Sequence, residues 1–197
     1  FWSVVYVKLN PFGASAAYDS LHINTSRNLM AYRTFPMPDS YPDYPNHFQI
    51  AAYFDVDSVP EQLLDRGPNY NTAPTTSVLV VYEDGSTRRL DAFHWGLVPS
   101  WAKDTKIGGR MINARAETVT TKPAFKRAFA GRRCIIPADG FYEWATEPDQ
   151  KKKQPYFIHR PDGEPFAFAG LWEVWRGPDK DQEPIRSCTI ITTTPND

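Results

Sequence analysis

The chain has 197 residues, 41% of them hydrophobic, which is enough for one sizeable core with an appendage and too little for two full domains. Lys and Arg number 22 against 23 Asp and Glu, so the net charge of −1 excludes a histone-like or tail-driven mode of nucleic-acid binding and leaves only local patches open. No apolar run approaches the ~20 residues that span a bilayer, and the start lacks the basic and apolar regions of a secretory signal. A soluble, cytoplasmic protein with no membrane contact is expected. The two cysteines, Cys134 and Cys188, are far apart and form no CxxC or His/Cys cluster, which fits a reduced intracellular chain and calls for no metal. Nothing calls for an organic cofactor.

In chain order, Trp2 to Lys8 reads as a short strand, and Pro11 to Met30 shows no sustained period. Pro36, Pro38, Pro42 and Pro45 then fall among Asp, Ser, Tyr and Asn, a composition that blocks helix and central strand alike and reads as a linker. Residues 1–47 are therefore expected to be an appendage. From Phe48 a short apolar helix runs through Ala51, Ala52 and Phe54, and a second follows at Glu61 to Asp65. Ser77 to Tyr82 is Val-rich, and Glu83-Asp84-Gly85-Ser86 turns it into Thr87 to Trp95, forming one β-hairpin. Lys122 to Phe129 predicts a helix and Cys134 to Pro137 a buried strand. Tyr156 to Arg160, Phe166 to Trp175 and Ser187 to Thr194 are further strands. Lys151-Lys152-Lys153 is a polar turn. Many short strands with few short helices give an α+β, strand-dominated fold around a curled, barrel-like sheet.

Asn113-Ala-Arg-Ala-Glu117, followed by the segment from Cys134 to Trp144, sets an amide, a guanidinium and carboxylates among Ile, Phe, Tyr and Trp. Desolvated charges need partners, so this pattern suggests a lined pocket, with a structural ion pair beneath a core as the competing reading. Between Arg110 and Arg133, seven cations are opposed only by Glu117, a basic stretch suited to phosphates. Trp101, in a turn beside Lys103, is placed to stack on a base, a contact worth about 1–3 kcal/mol on single strands. A solvated charged face and a Trp packed under a loop are the plainer alternatives.

Four motifs in register then carry a resemblance: Tyr70-Asn71-Thr72-Ala73-Pro74, Trp95-Gly96-Leu97-Val98-Pro99-Ser100-Trp101, Ile112-Asn113-Ala114-Arg115-Ala116-Glu117-Thr118 and Ala138-Asp139-Gly140-Phe141-Tyr142-Glu143-Trp144. Over residues 48–197 the chain resembles the SOS response-associated peptidase (SRAP) family, whose members sense abasic sites in single-stranded DNA and crosslink to them covalently. The resemblance implies that Asn113 and Glu143 are catalytic. Asn113 would orient the reacting amine at the sugar, and Glu143 would act as general acid and base. It further implies that Arg115 clamps a flanking phosphate and that Trp101 stacks beside the lesion. The partner expected is single-stranded DNA with abasic sites, met by a monomer without metal or cofactor.

The family's nucleophile is an N-terminal cysteine, because a thiazolidine ring needs amine and thiol on adjacent carbons. Residue 1 here is Phe, and the Met-Cys-Gly-Arg start is absent. The family's catalytic His, in a His-x-Arg-Met-Pro motif, is expected beyond Asp197, so the 48–197 domain reads as truncated at its C-terminus. His159 lies on an alternating strand and reads as an ordinary half-exposed residue. Two classes stand open: an abasic-site processing enzyme, and a non-covalent binder of single-stranded or damaged DNA. A thiol hydrolase using Cys134 is disfavoured, since an Ile-rich strand buries its thiol.

Overall fold

The computed structural model describes residues 50–64, 66–67, 69–145, 153–179 and 181–194, with Phe166 by its backbone, and the backbone alone of residues 3–7, 20–21, 32–33 and 46–49. The strands are β1 Ser3–Val7, β2 Ser20–Leu21, β3 Tyr32–Arg33, β4 Ser77–Asp84, β5 Thr87–Trp95, β6 Asn113–Arg115, β7 Arg133–Ala138, β8 Gly140–Ala145, β9 Gln154–His159, β10 Phe166–Trp175 and β11 Ile185–Thr193. Two α-helices, α1 Asn46–Tyr53 and α2 Lys126–Gly131, and 3₁₀ turns at Glu61–Leu63 and Thr105–Arg110 complete the described elements. The Pro-rich linker reading falls outside the described residues, as do Lys151 and Lys152.

Five strands close into a ring: β10 pairs β7, then β4, β5 and β11 follow in turn, and β11 returns to β10. The curled, barrel-like sheet expected from the sequence is thus present. Alternation along each strand sends every second side chain inward. Val78, Val80 and Tyr82 of β4, Phe93 and Trp95 of β5, Cys134 and Ile136 of β7, Phe168 of β10, and Cys188 and Ile190 of β11 fill the interior. Gly170 is inward as well, and a Cβ there would lie 3.0 Å from Cys134 Sγ and Ile136 Cδ1, so only glycine leaves room for its neighbours.

The continuous apolar run of β4 has a second cause: its outer face is covered too. Leu79 and Val81 pack with Leu90, with Leu63, and with Ile50 and Phe54, which lie four residues apart on one face of the α1 segment. Leu171 and Ala114 pack with Leu97, Val119, Phe125 and Ala128 in a separate cluster. Helix α2 begins four residues later than the sequence suggests, because the Phe125 N–H first closes a turn on the Lys122 carbonyl (3.0 Å). The first strand joins the main sheet: Tyr6 pairs with Phe168 of β10 and Ser3 with Thr193 of β11. A smaller antiparallel sheet runs β3-β8-β9.

Strand directions decide which segments meet. β4 runs antiparallel to β5 and β7, and β10 antiparallel to β7 and β11, while β11 is parallel to β5 and β6. One end of the barrel therefore gathers the start of β4, the ends of β5, β7 and β11, and β6. The four sequence motifs converge on this end.

Candidate functional site at one end of the barrel

The chain leaving β5 is pinned at each step. Gly96 N–H donates to the Cys188 carbonyl (2.9 Å) and Leu97 N–H to that of Met111 (3.1 Å), and Val98 N–H donates to Ser187 Oγ (2.8 Å). Trp175 Nε1 then reaches the Ala102 carbonyl at 2.8 Å. Trp101 sits on this anchored turn and is 60% exposed. Tyr70 and Tyr156, 49% and 46% exposed, are the other large aromatics in the open among the described residues.

The start of β6 is held by its preceding carbonyl: Ile112 O accepts from Trp95 Nε1 (3.0 Å) and from Ile190 N–H (3.1 Å). Asn113 follows directly, and its Oδ1 is buried with no hydrogen-bond partner. Arg115 lies two residues on, on the same face of β6, with Nε 3.5 Å from Glu117 Oε2. Glu117 Oε1 accepts from Thr193 Oγ1 (3.0 Å) and from Thr194 N–H (2.9 Å). Burial opposes the charged form of Glu117. Hydrogen bonds from its own backbone, Thr194 and Thr193, and the Arg115 charge, outweigh this and hold its carboxyl below the usual range.

Glu143 belongs to the smaller sheet. Phe141, two residues before it, is buried in the barrel cluster beside Ile112, and Ile158, opposite Phe141 on β9, packs there too. Period-2 alternation therefore turns Glu143 and its cross-strand partner Tyr156 toward the barrel side. Glu143 Oε1 is buried with no hydrogen-bond partner. Desolvation pushes its carboxyl up to about 7, against a backbone hydrogen bond from Trp144 and the Lys153 charge. An unsatisfied buried polar atom costs about 1–3 kcal/mol. The chain carries that cost at Asn113 and at Glu143, the two positions for which the family resemblance implies a catalytic role, and also at Trp172 Nε1 and Thr189 Oγ1.

The arrangement sorts the predicted residues. Asn113 and Arg115 share β6. Glu143 comes from another sheet, joined to β6 through the contact cluster of Ile112 and Phe141. Trp101 stands out on its own turn. The basic stretch is not one patch. Arg110 and Arg115 lie at or next to this end, whereas Arg133 begins β7 at the other end, where its Nη1 donates to the carbonyls of Phe129 and Ala130. Arg132 is likewise committed, 2.9 Å from Glu173 and over the Trp172 ring. Sequence spacing could not show this, because the connection between β6 and β7, residues 116–132, carries the chain from one end to the other. Glu117 went unassigned; its signal was its place as the lone acid among seven cations. A separate cavity of about 580 Å³, lined by Phe54, Val81, Phe129, Ile135 and Ile191 among others, includes none of Asn113, Arg115, Glu143 and Trp101, although Arg133 and Cys134 border it.

The two thiols are excluded from surface chemistry. Cys134 and Cys188 are buried, and desolvation raises both, Cys134 further through the nearby Cys188. His159 is exposed, stacked on Phe157 with Nδ1 2.8 Å from the Arg160 carbonyl. Among the described residues no group of three or more His, Cys, Asp or Glu could hold a metal ion, and no helix is long and apolar enough to cross a membrane.

The sequence model of the family described as SOS response associated peptidase (SRAP) matches residues 41–197. The chain belongs to the SRAP family. Abasic site processing protein YoaM of Bacillus subtilis is 50% identical over 151 residues, 75% of this chain and 63% of the relative. Abasic site processing protein HMCES of Xenopus tropicalis is 33% identical over 154 residues, 64% of this chain and 45% of the relative. This SRAP chain thus spans less than two thirds of the length of each. A crystal structure of a Bacteroides thetaiotaomicron protein superposes with a TM-score of 0.66 at 27% identity, over 84% of this chain and 67% of that one. A second sequence model, described as flavin-binding monooxygenase-like, matches residues 8–73. That segment has two glycines, Gly13 and Gly67, and so does not itself carry the dinucleotide fingerprint of three glycines within six residues.

Proposed function

We propose that the protein processes abasic sites in single-stranded DNA as part of the DNA damage response. The observation that carries this is the pair of buried, unsatisfied acceptors at Asn113 and Glu143, on segments that the barrel topology brings to one end beside an exposed Trp on an anchored turn. An abasic deoxyribose offers what those groups lack: hydroxyls to donate, and a ring oxygen that takes a proton as the sugar opens to its aldehyde. With a carboxyl near 7, Glu143 is poised to give that proton and take one back near neutral pH. Asn113 Oδ1 would accept from a sugar hydroxyl or from an attacking amine. Arg115 would hold a flanking phosphate and Trp101 would stack on the neighbouring base.

The finer step, a covalent DNA–protein crosslink, requires an amine and a thiol on adjacent carbons. Cys134 and Cys188 supply neither, being buried with amide nitrogens. In this reading the crosslink belongs to a terminal cysteine, and residues 48–197 contribute the sugar pocket, the acid/base group and the grip on the strand. The second reading, reversible binding of damaged single strands, uses the same Trp101 and Arg115 and differs only in forming no heat-stable adduct.

The test is the affinity of the purified chain for an oligonucleotide carrying one abasic site, against the undamaged single strand and the duplex, across a salt series. Preference for the abasic single strand is expected. Arg115→Ala should weaken binding and reduce the slope of log K against log salt by about 1. Equal affinity for undamaged duplex would defeat the proposal.

A further inference from the structure

In a parallel ladder β6 and β11 exchange hydrogen bonds in steps: Ile190 N–H to the Ile112 carbonyl (3.1 Å), then Ala116 N–H to the Thr192 carbonyl (2.8 Å). The next donor in that series is Thr194 N–H, whose main-chain acceptor would be Ala116. At Ala116 the chain turns away into residues 116–121, and Thr194 N–H goes instead to Glu117 Oε1 at 2.9 Å. The same oxygen accepts from Thr193 Oγ1 at 3.0 Å. Glu117 thus stands in for the missing rung. Its other oxygen, Oε2, reaches back to Arg115 Nε at 3.5 Å. One carboxylate therefore joins the end of the closing strand to the Arg115 guanidinium.

We propose that Glu117 is a positioning residue that fixes the Arg115 guanidinium against the end of β11, so that Arg115 meets a DNA phosphate in one orientation. The inference rests on Arg115 as a phosphate contact, as put forward above. Arg recognises phosphate through a planar fork, and holding Nε sets the plane of that fork before the anion arrives. The alternative is that Glu117 only closes the ladder and is otherwise a bystander. A bystander carboxylate beside a phosphate site repels the anion, and removing its charge tightens binding. Positioning has the opposite sign.

The experiment uses Glu117→Gln, whose amide carbonyl can still accept from Thr193 and Thr194 but no longer carries the charge opposite Arg115. The probe is a single strand containing one tetrahydrofuran abasic analogue. Positioning predicts binding per folded molecule weakened roughly fivefold, with only a small drop in melting temperature from the lost charge. On an Arg115→Lys background, which lacks the fork, Glu117→Gln should cause no further loss. Unchanged or tighter binding in the single variant, or an equal loss on the Lys background, overturns the proposal. If Glu117→Gln fails to fold, Thr193→Val replaces it, loosening the carboxylate while keeping its charge. A smaller loss, absent on Arg115→Lys, is then expected, and no loss overturns the idea. If the wild-type chain shows no preference for the abasic strand, the function proposed above fails. The Glu117 cycle can still be read on an undamaged single strand, so the two failures are distinguishable.

Discussion

The barrel interior and the end that carries the candidate site differ in what they bury. Inside, Phe93, Trp95, Ile136, Phe168 and Ile190 are buried to within 1% exposure. The indole of Trp95 still finds a partner in the Ile112 carbonyl, and the cysteines there are held as neutral thiols. At the end, an amide oxygen and a carboxylate oxygen are buried without partners, and a Trp stands largely in solvent on a turn held through the Val98 N–H and the Ala102 carbonyl. The difference separates what the sequence uses for stability from what it holds ready for a ligand. An interior of this density can support these two desolvated acceptors, along with Trp172 Nε1 and Thr189 Oγ1, which are also buried without a partner, because the hydrophobic area around them outweighs their cost.

That contrast can be broken in three places. Phe93→Ala should lower unfolding free energy by about 3–5 kcal/mol in denaturant titrations while leaving affinity per folded molecule unchanged. If strand binding by the folded fraction also fell, interior and end would not be separable. Trp101→Ala should do the reverse. A loss of about 1–3 kcal/mol in single-strand binding is expected with no change in melting temperature, because the ring is already in solvent. A drop in melting temperature would make that indole structural.

The third place is Glu143, where the effect is smallest and depends on pH. Its carboxyl lies near 7 when folded and near the ordinary carboxylate value when unfolded. Between those values the folded chain binds more protons than the unfolded one, so stability falls as pH rises from about 4.5 to 7 and the penalty is complete above. Glu143→Gln removes the penalty. Relative to wild type it should be stabilised at pH 8 by about 1–2 kcal/mol and nearly neutral at pH 4.5, as thermal melts at both pH values would show. The same gain at both would mean that Glu143 is not desolvated when folded.

Much of the fold was legible because periodicity reports burial. β10 was read at its observed bounds, and β4, β9 and β11 to within two residues at either end. The hairpin turn was read as four residues, but the ladder continues to Asp84 opposite Thr87, leaving Gly85 and Ser86 as the turn. β6 was missed as a strand, since three residues carry no period. β8 was read for its chemistry and not as a strand, since its aromatics fill both faces. At the site, the motifs shared with the family pointed to Asn113, Arg115, Glu143 and Trp101, but only topology brings their segments to one end. The same topology divides a basic stretch that looked continuous. Glu117 was invisible as a ladder substitute, because Thr193 and Thr194, which it holds, lie more than 75 residues away.

The crossing of Gly96 and Gly108 carries a further consequence. A Cβ on Gly96 would sit 2.6 Å from the Gly108 carbonyl oxygen, and one on Gly108 would sit 2.7 Å from that of Gly96. Gly96 also has a φ of 137°, which side-chain-bearing residues rarely adopt. Bare backbone therefore rests on bare backbone where the segment bearing the indole passes the segment that leads into Asn113. A side chain at either glycine would drive the two segments apart, so the separation between the turn bearing the indole and the strand carrying Asn113 is set by main-chain thickness and cannot be retuned by swapping side chains.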